Sequence, residues 1–351
     1  MTESKEKTLA FLERNRGVFV SGEEIAAATA TTRAAVNKHV KALRQCGYDI
    51  LAAPNRGYML AASTDYISAS GIAKYLSEPC RSSLRFEILE ETASTNLTAR
   101  EAGERGEGSG LVVIARRQTH GRGRRGRKFF SDGGGIYMSV LLRRPGMTGA
   151  AAARLTTNAA LAVCEAIEAS ASLATSGSAA GSVAEPPERA PSPRIKWVND
   201  VFLRGLKVCG ILTEGQVGVE EGTLEYAVVG IGVNLYPPLG GFPAELSGIA
   251  GSVFDGPRAD GRNFFIGELL NRFFARLERG DASADLAEYR RRLLAQGRGA
   301  VVCLPDGRRF EVRALDVDDD YRLIAEFPDG TREAIAAGDV SVRPTETDDA
   351  I

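Results

Sequence analysis

The tract Gly121-Arg122-Gly123-Arg124-Arg125-Gly126-Arg127, followed by Lys128, has the composition of a polyanion clamp. From Arg116 to Lys128 there are seven Lys or Arg residues and no acid. Glycines let a backbone bend toward a ligand and turn N–H groups on it, while guanidinium forks grip carboxylate or phosphate oxygens two at a time. The same composition also describes a flexible RNA-binding or localisation tract. Its position favours the clamp, because it lies between two apolar, strand-like runs, Leu111–Ala115 and Ile136–Leu142.

Three further groups of residues carry possible chemistry. Lys196-Trp197-Val198-Asn199-Asp200 is followed by Lys207-Val208-Cys209-Gly210, and a tight hairpin through Asn199-Asp200 would bring an acid and a lysine together. A lysine on a core-like strand is costly without an anion, which makes Lys207 a site candidate; the alternative is a solvated lysine at the strand entrance. Cys209 shares a face with Lys207 on this reading and could be a nucleophile, although a small buried core residue explains it as well. Gly230-Ile231-Gly232-Val233-Asn234-Leu235 closes an apolar strand with room for a ligand, and lacks the third glycine and helix of a dinucleotide fingerprint. Ser94-Thr95-Asn96 reads equally as a cluster of small hydrogen-bonders and as a helix N-cap.

The elements that would position these groups follow from hydrophobic period and turn chemistry. Residues 5–62 read as three helices and a two-stranded wing turning at Pro54-Asn55-Arg56-Gly57. Strand signals then dominate from Leu84 to Val233, with a helix over Ala150–Ala169, giving a mixed, mainly antiparallel sheet with helices. Residues 170–193 hold mainly Ala, Ser, Gly, Pro and Glu and are expected to form a disordered insertion. Helices are expected over Arg262–Arg279 and Asp281–Ala295. After them, short β runs separated by Pro305-Asp306-Gly307 and Pro328-Asp329-Gly330 suggest a small barrel.

With 351 residues, several folded units are expected. The formal charge of −1 removes any argument from bulk basicity, so only local clusters can speak for nucleic acid. One lies between Thr31 and Tyr58, with five Lys or Arg against one Asp, where Arg33, Asn37, Lys38 and Lys41 can share one helical face. Five scattered cysteines without metal-ligand spacing fit a reducing, cytoplasmic setting, and no apolar run approaches a membrane span. Two histidines leave catalysis to Lys, Arg, Asp and backbone amides.

In this order, Ser94-Thr95-Asn96, Gln118 with Gly121–Arg127, Lys196–Asp200, Lys207–Gly210 and Gly230–Asn234 closely resemble the bacterial biotin protein ligases. Arg33–Val40 and the wing Asn55-Arg56-Gly57-Tyr58 resemble the DNA-binding domain of the bifunctional ligases, the biotin operon repressors. The resemblance implies an α+β chain: a winged helix-turn-helix over 1–63, a linker over 64–83, a class II synthetase-like catalytic domain over 84–296, an SH3-like barrel over 297–345 and a tail over 346–351. It implies that Ser94, Thr95, Asn96, Gln118, Arg122, Gly123, Arg124, Lys207, Gly210, Gly230 and Gly232 bind biotin. Arg124, Arg125, Arg127, Phe129, Asn199, Asp200, Lys207 and Asn234 would hold ATP or the adenylate, with Asp200 toward magnesium and Lys207, Arg122 and Arg124 catalytic. Thr32, Arg33, Asn37, Lys38, Lys41 and Arg56 would contact operator DNA. The implied partners are a biotin carboxyl carrier protein and a second copy of the chain when adenylate is bound. Phe129 stands where the family often has Trp, Val198 where it has Pro, and Cys209 where it has Ala. A lipoyl or octanoyl ligase or transferase of the same architecture, and a regulator that only senses its ligand, are the alternative readings.

Overall fold

The structure is a computed structural model and describes residues 2–144, 147–176, 192–218, 223–336 and 338–342. It divides into two compact units, 1–82 with 256–271 and 83–255 with 272–351.

In the first unit, α1 (Glu3–Arg14), α2 (Gly22–Ala28) and α3 (Arg33–Gln45) precede the wing strands β1 (Ile50–Ala53) and β2 (Gly57–Leu60). Leu9, Leu12, Ile25, Val36, Val40 and Leu43 recur at helical spacing and share one buried core with Tyr48, Ile50 and Leu60. Ser21 and Glu24 form a reciprocal capping box at the start of α2, and the Thr32 hydroxyl accepts from Ala35 N to start α3. Residues 64–83, expected as a linker, instead carry α4 (Ala69–Ala73) and α5 (Glu78–Ser83), with Ile67, Ile72, Leu76 and Cys80 buried. Distant residues hold this stretch. Asp260 accepts from Lys74 Nζ at 2.6 Å and from Tyr75 Oη at 2.7 Å, and Asn263 Oδ1 accepts from Ser68 N at 3.1 Å.

The second unit is built on a seven-stranded sheet. Its strands are β3 (Arg85–Thr92), β4 (Leu111–Gln118), β5 (Asp132–Leu142), β6 (Arg194–Lys196), β7 (Asp200–Leu203), β8 (Leu206–Val217) and β9 (Leu224–Val233), in the order β3-β4-β5-β9-β8-β7-β6. β3 and β4 are parallel, joined by α6 (Thr95–Glu104), and the other pairings are antiparallel. The single hairpin expected at Asn199-Asp200 is in fact two, because Asp200 opens β7 and pairs with Lys196 on one side and Gly210 on the other.

α7 (Gly149–Ser176) continues past its expected end at Ala169; Ser170 is buried and its hydroxyl donates to Ala166 O at 2.7 Å, so alanine and serine here extend a packed helix. The remainder of the expected insertion, 177–191, and the tail 346–351 lie outside the described residues. α8 (Gly261–Arg279) and α9 (Ala282–Arg292) follow, α9 ending before the expected Ala295. The last strands, β10 (Arg298–Cys303), β11 (Arg309–Val317), β12 (Leu323–Glu326), β13 (Arg332–Ile335) and β14 (Asp339–Val342), form one antiparallel sheet in the order β13-β12-β11-β10-β14, in keeping with a small SH3-like barrel. Among the described residues no helix is long and apolar enough to cross a membrane.

α9 is held by an acid-labile cluster. Glu288 accepts from Arg291 and from Arg292, whose guanidinium also reaches Glu168. These bonds, Arg291's first, lower the Glu288 carboxyl from 4.5 to about 2. A depressed carboxyl stabilises the fold above its unfolded value and loses that contribution as pH falls from about 4.5 through about 2. Glu288→Gln is therefore expected to cost about 1.5 kcal/mol at pH 6, with the gap to the parent narrowing below pH 4.5 in denaturant titrations.

Candidate functional site

The glycine pair of β9 forms the floor of a cleft on the large sheet. Gly230 lies opposite Ser139 and Leu212, and Gly232 opposite Tyr137 and Gly210. A methyl group at 230 would stand 2.0 Å from Asn96 Oδ1, and one at 232 would stand 2.6 Å from the Phe129 ring. Bare backbone at these two steps is what allows a side chain from α6 and an aromatic ring from the Gly-Arg loop to rest on the sheet.

At one end of this floor lies a polar cluster. Ser94, Thr95 and Asn96 are buried, and Ser94 makes no capping bond with its side chain. Gln118, at the end of β4, accepts from Thr95 N at 2.8 Å and donates to Ser131 Oγ at 2.9 Å. Ser139 Oγ, from β5, lies 2.8 Å from Thr95 Oγ1 and 2.6 Å from Asn96 Oδ1. Small donors and acceptors from α6, β4 and β5 are thus tied into one network before any ligand arrives, a preorganised frame for a polar ring.

The other end is cationic. The loop between β4 and β5 folds back on itself, with Gly123 N bonded to Arg127 O at 2.7 Å and Phe129 N to Gly121 O at 2.9 Å. This turns Arg124 inward, where its guanidinium donates to Asn199 Oδ1 at 3.2 Å. Asn199 donates in turn to Asp200 Oδ1 at 3.1 Å, and Lys207 Nζ stands 2.7 Å from Asp200 Oδ2. Arg122, Arg124, Arg127, Lys128 and Lys207 line the cleft with Asp200 as the one acid among its lining residues, so an anion of several charges is the partner this end suits.

Fifteen expected residues meet here: Ser94, Thr95, Asn96, Gln118, Arg122, Gly123, Arg124, Arg127, Phe129, Asn199, Asp200, Lys207, Gly210, Gly230 and Gly232. Two do not line the cleft. Arg125 has the left-handed φ of 55° and donates to Cys303 O in β10 at 3.2 Å, which points it at the C-terminal sheet. Asn234 is buried and donates to Gly251 O at 3.1 Å, pinning the chain that follows β9. Lys128, Tyr137, Met138, Ile211, Leu212 and Ile231 line the cleft without having been expected. Of these only Lys128 carried a visible sign, its place at the end of the basic tract.

Cys209 proves to be a core residue. The β7–β8 register slips between Val201 and Phe202, which pair with Cys209 and Lys207, so Val208 is an extra residue and Lys207 no longer shares a face with Cys209. Lys207 faces the cleft beside Gly210, while Cys209 is fully buried and its thiol is pushed well above its ordinary value by desolvation.

In the first unit Arg33, Asn37, Lys38 and Lys41 are exposed and border one shallow depression with Ala34 on α3. Arg56, on the wing, is also exposed and lies 4.2 Å over the Phe19 ring, while Thr32 is occupied as the cap of α3.

Comparison with known proteins agrees with this geometry. Residues 89–234 match the biotin/lipoate A/B protein ligase family, and residues 5–59 match an HTH domain. The bifunctional ligase/repressor BirA of Bacillus spizizenii is 35% identical over 243 residues, which cover 67% of this chain and 66% of that protein, just under two thirds of its length. The biotin–[acetyl-CoA-carboxylase] ligase of Mycobacterium tuberculosis is 33% identical over 262 residues, covering 73% of this chain and 88% of that one. The biotin protein ligase of Aquifex aeolicus, solved with biotin and ATP, is similar in fold, with a TM-score of 0.56 at 22% identity over 74% of this chain and 99% of that one. The chain belongs to the biotin–[acetyl-CoA-carboxylase] ligase family.

Proposed function

We propose that this protein joins biotin to AMP at the expense of ATP and passes the biotinyl group to a lysine of a biotin carboxyl carrier protein. The observation that carries this reading is the meeting of the Arg124–Asn199–Asp200–Lys207 chain with the glycine floor and the polar cluster in one cleft. In the first step the biotin carboxylate attacks the α-phosphorus, and pyrophosphate leaves. Two anions must approach, so the cations at the loop end lower the barrier by cancelling their repulsion and the charge that grows on phosphorus. In the second step the carrier amine attacks the acyl carbon, and AMP leaves.

Ser94, Thr95, Asn96 and Gln118 would hold the biotin ring over Gly230, and Arg122, Gly123, Arg124 and Lys207 would meet its carboxylate and the α-phosphate, beside Gly210 and Gly232. Phe129 would cover the adenine, with Arg127 toward the phosphates. Magnesium would come with ATP, held mainly by phosphate oxygens; Asp200 and Asn199 supply one carboxylate and one amide oxygen, a donor set that suits a shared ion. When bound, the ion would supply positive charge against the phosphates beside Asp200 and Asn199. Closure of residues 116–128 would exclude water from the mixed anhydride. ATP–pyrophosphate exchange tests this reading: it should depend on biotin and not on lipoate or octanoate. Exchange with lipoate alone would assign the lipoyl chemistry, and none with any acid would leave a ligand sensor.

The matched HTH domain and the exposed basic face of α3 support a second activity, a biotin-responsive DNA-binding repressor acting as a dimer on two half-sites when adenylate is bound. Lys38→Ala is expected to weaken binding to promoter DNA about fivefold and to reduce the salt slope by about 0.9, as loss of one phosphate contact would. An unchanged slope would remove Lys38 from the interface.

A further inference from the structure

Glu214, on β8, does not line the cleft itself but reaches two of the residues that do. Its Oε2 accepts from Asn96 Nδ2 at 2.8 Å, and its Oε1 stands 3.8 Å from Arg122 NH1. A carboxylate in this place works against the binding of anions unless its effect is spent on neighbouring donors. That is how the bonds run. A carboxylate only accepts, so Asn96 must turn its amide N–H groups to Glu214 and to Leu212 O at 3.2 Å, and its Oδ1 to Ser139, which donates at 2.6 Å. With its one proton on Asn96, Ser139 Oγ can only accept from Thr95 Oγ1, at 2.8 Å, and Thr95 N donates to Gln118 Oε1 at 2.8 Å. Asn96, Ser139 and Thr95 are buried, so the bonds that Ser139 makes to the other two are closed to solvent. The orientation of the whole polar end is therefore set from Glu214 inward.

We infer that Glu214 is a positioning residue: it fixes the Asn96 amide, and through Ser139 the Thr95–Gln118 pair, in the arrangement that receives the ring of the acid, and it keeps Arg122 against the cleft. The inference rests on the biotin ligase reading and deepens it. Glu214→Gln keeps the size of the side chain but can offer N–H as well as oxygen, so the amide of Asn96 loses its imposed direction. The variant should raise KM for biotin about tenfold in pyrophosphate exchange, with KM for ATP within about twofold and the melting temperature near that of the parent protein. Glu214→Ala should raise KM for biotin further in the same selective way. Equal rises in both KM values together with a fall in melting temperature would show a purely structural role and overturn the assignment, as would an unchanged KM for biotin. The parent protein is assayed alongside: absence of biotin-dependent exchange there would overturn the ligase reading itself, a failure separate from that of Glu214.

Discussion

Lys207→Ala is expected to lower biotin-dependent ATP–pyrophosphate exchange by about a hundred- to a thousandfold, with the fold retained. The ammonium faces the cleft on the bulged start of β8 and is paired with Asp200 at 2.7 Å. In the proposed mechanism its removal takes away one positive charge where carboxylate and α-phosphate would meet, and it leaves Asp200 without its ion-pair partner. The loss should therefore fall on kcat as well as on KM, as expected of a group whose attraction grows in the transition state. Lys207→Arg keeps the charge but replaces a compact ammonium with a wider fork, and should recover only part of the rate. Pyrophosphate exchange by the alanine variant within a few-fold of the parent would remove Lys207 from the chemistry.

Gly230→Ala is expected to weaken biotin binding by between about tenfold and a hundredfold, measured by titration calorimetry. Its methyl group would stand 2.0 Å from Asn96 Oδ1 and 2.7 Å from Asn96 Cγ. Asn96 has little freedom to yield, since Ser139, Glu214 and the Leu212 carbonyl hold it on three sides. At Gly232 the obstacle is the Phe129 ring, and at Gly210 the ring edge at 3.1 Å and the Lys207 tip at 3.3 Å, side chains with more freedom to move. The three alanine variants should therefore weaken binding in the order 230, 232, 210. Equal effects at all three would mean that the floor is not what positions the ligand.

Much of this site was legible in the sequence, because its chemistry is carried by types that have few other uses in such company: guanidinium groups among glycines, a lysine on an apolar strand, paired glycines closing another. The period of apolar residues likewise marked the helices of the first unit and most strands of the large sheet. Long-range and geometric causes were hidden. Nothing near Lys74 announces that Asp260 will bond it, so residues 64–83 looked like a linker. The extra residue at Val208 reverses the facing of Lys207 relative to Cys209, and a bulge leaves no sign in residue type. Arg125 was indistinguishable from its neighbours until its left-handed backbone turned it toward Cys303. Met138, Ile211 and Ile231 line the cleft with apolar side chains that look like any others in a buried strand.

The claim on which the mechanism depends is that the arginine loop and Lys207 act on one acid and one nucleotide held end to end. Mixing the protein with biotin and Mg-ATP without an acceptor, desalting rapidly and analysing the bound fraction by mass spectrometry tests it directly. One equivalent of biotinyl-adenylate retained per chain is the expected result. Recovery of unreacted biotin and ATP, with no mixed anhydride, would contradict it.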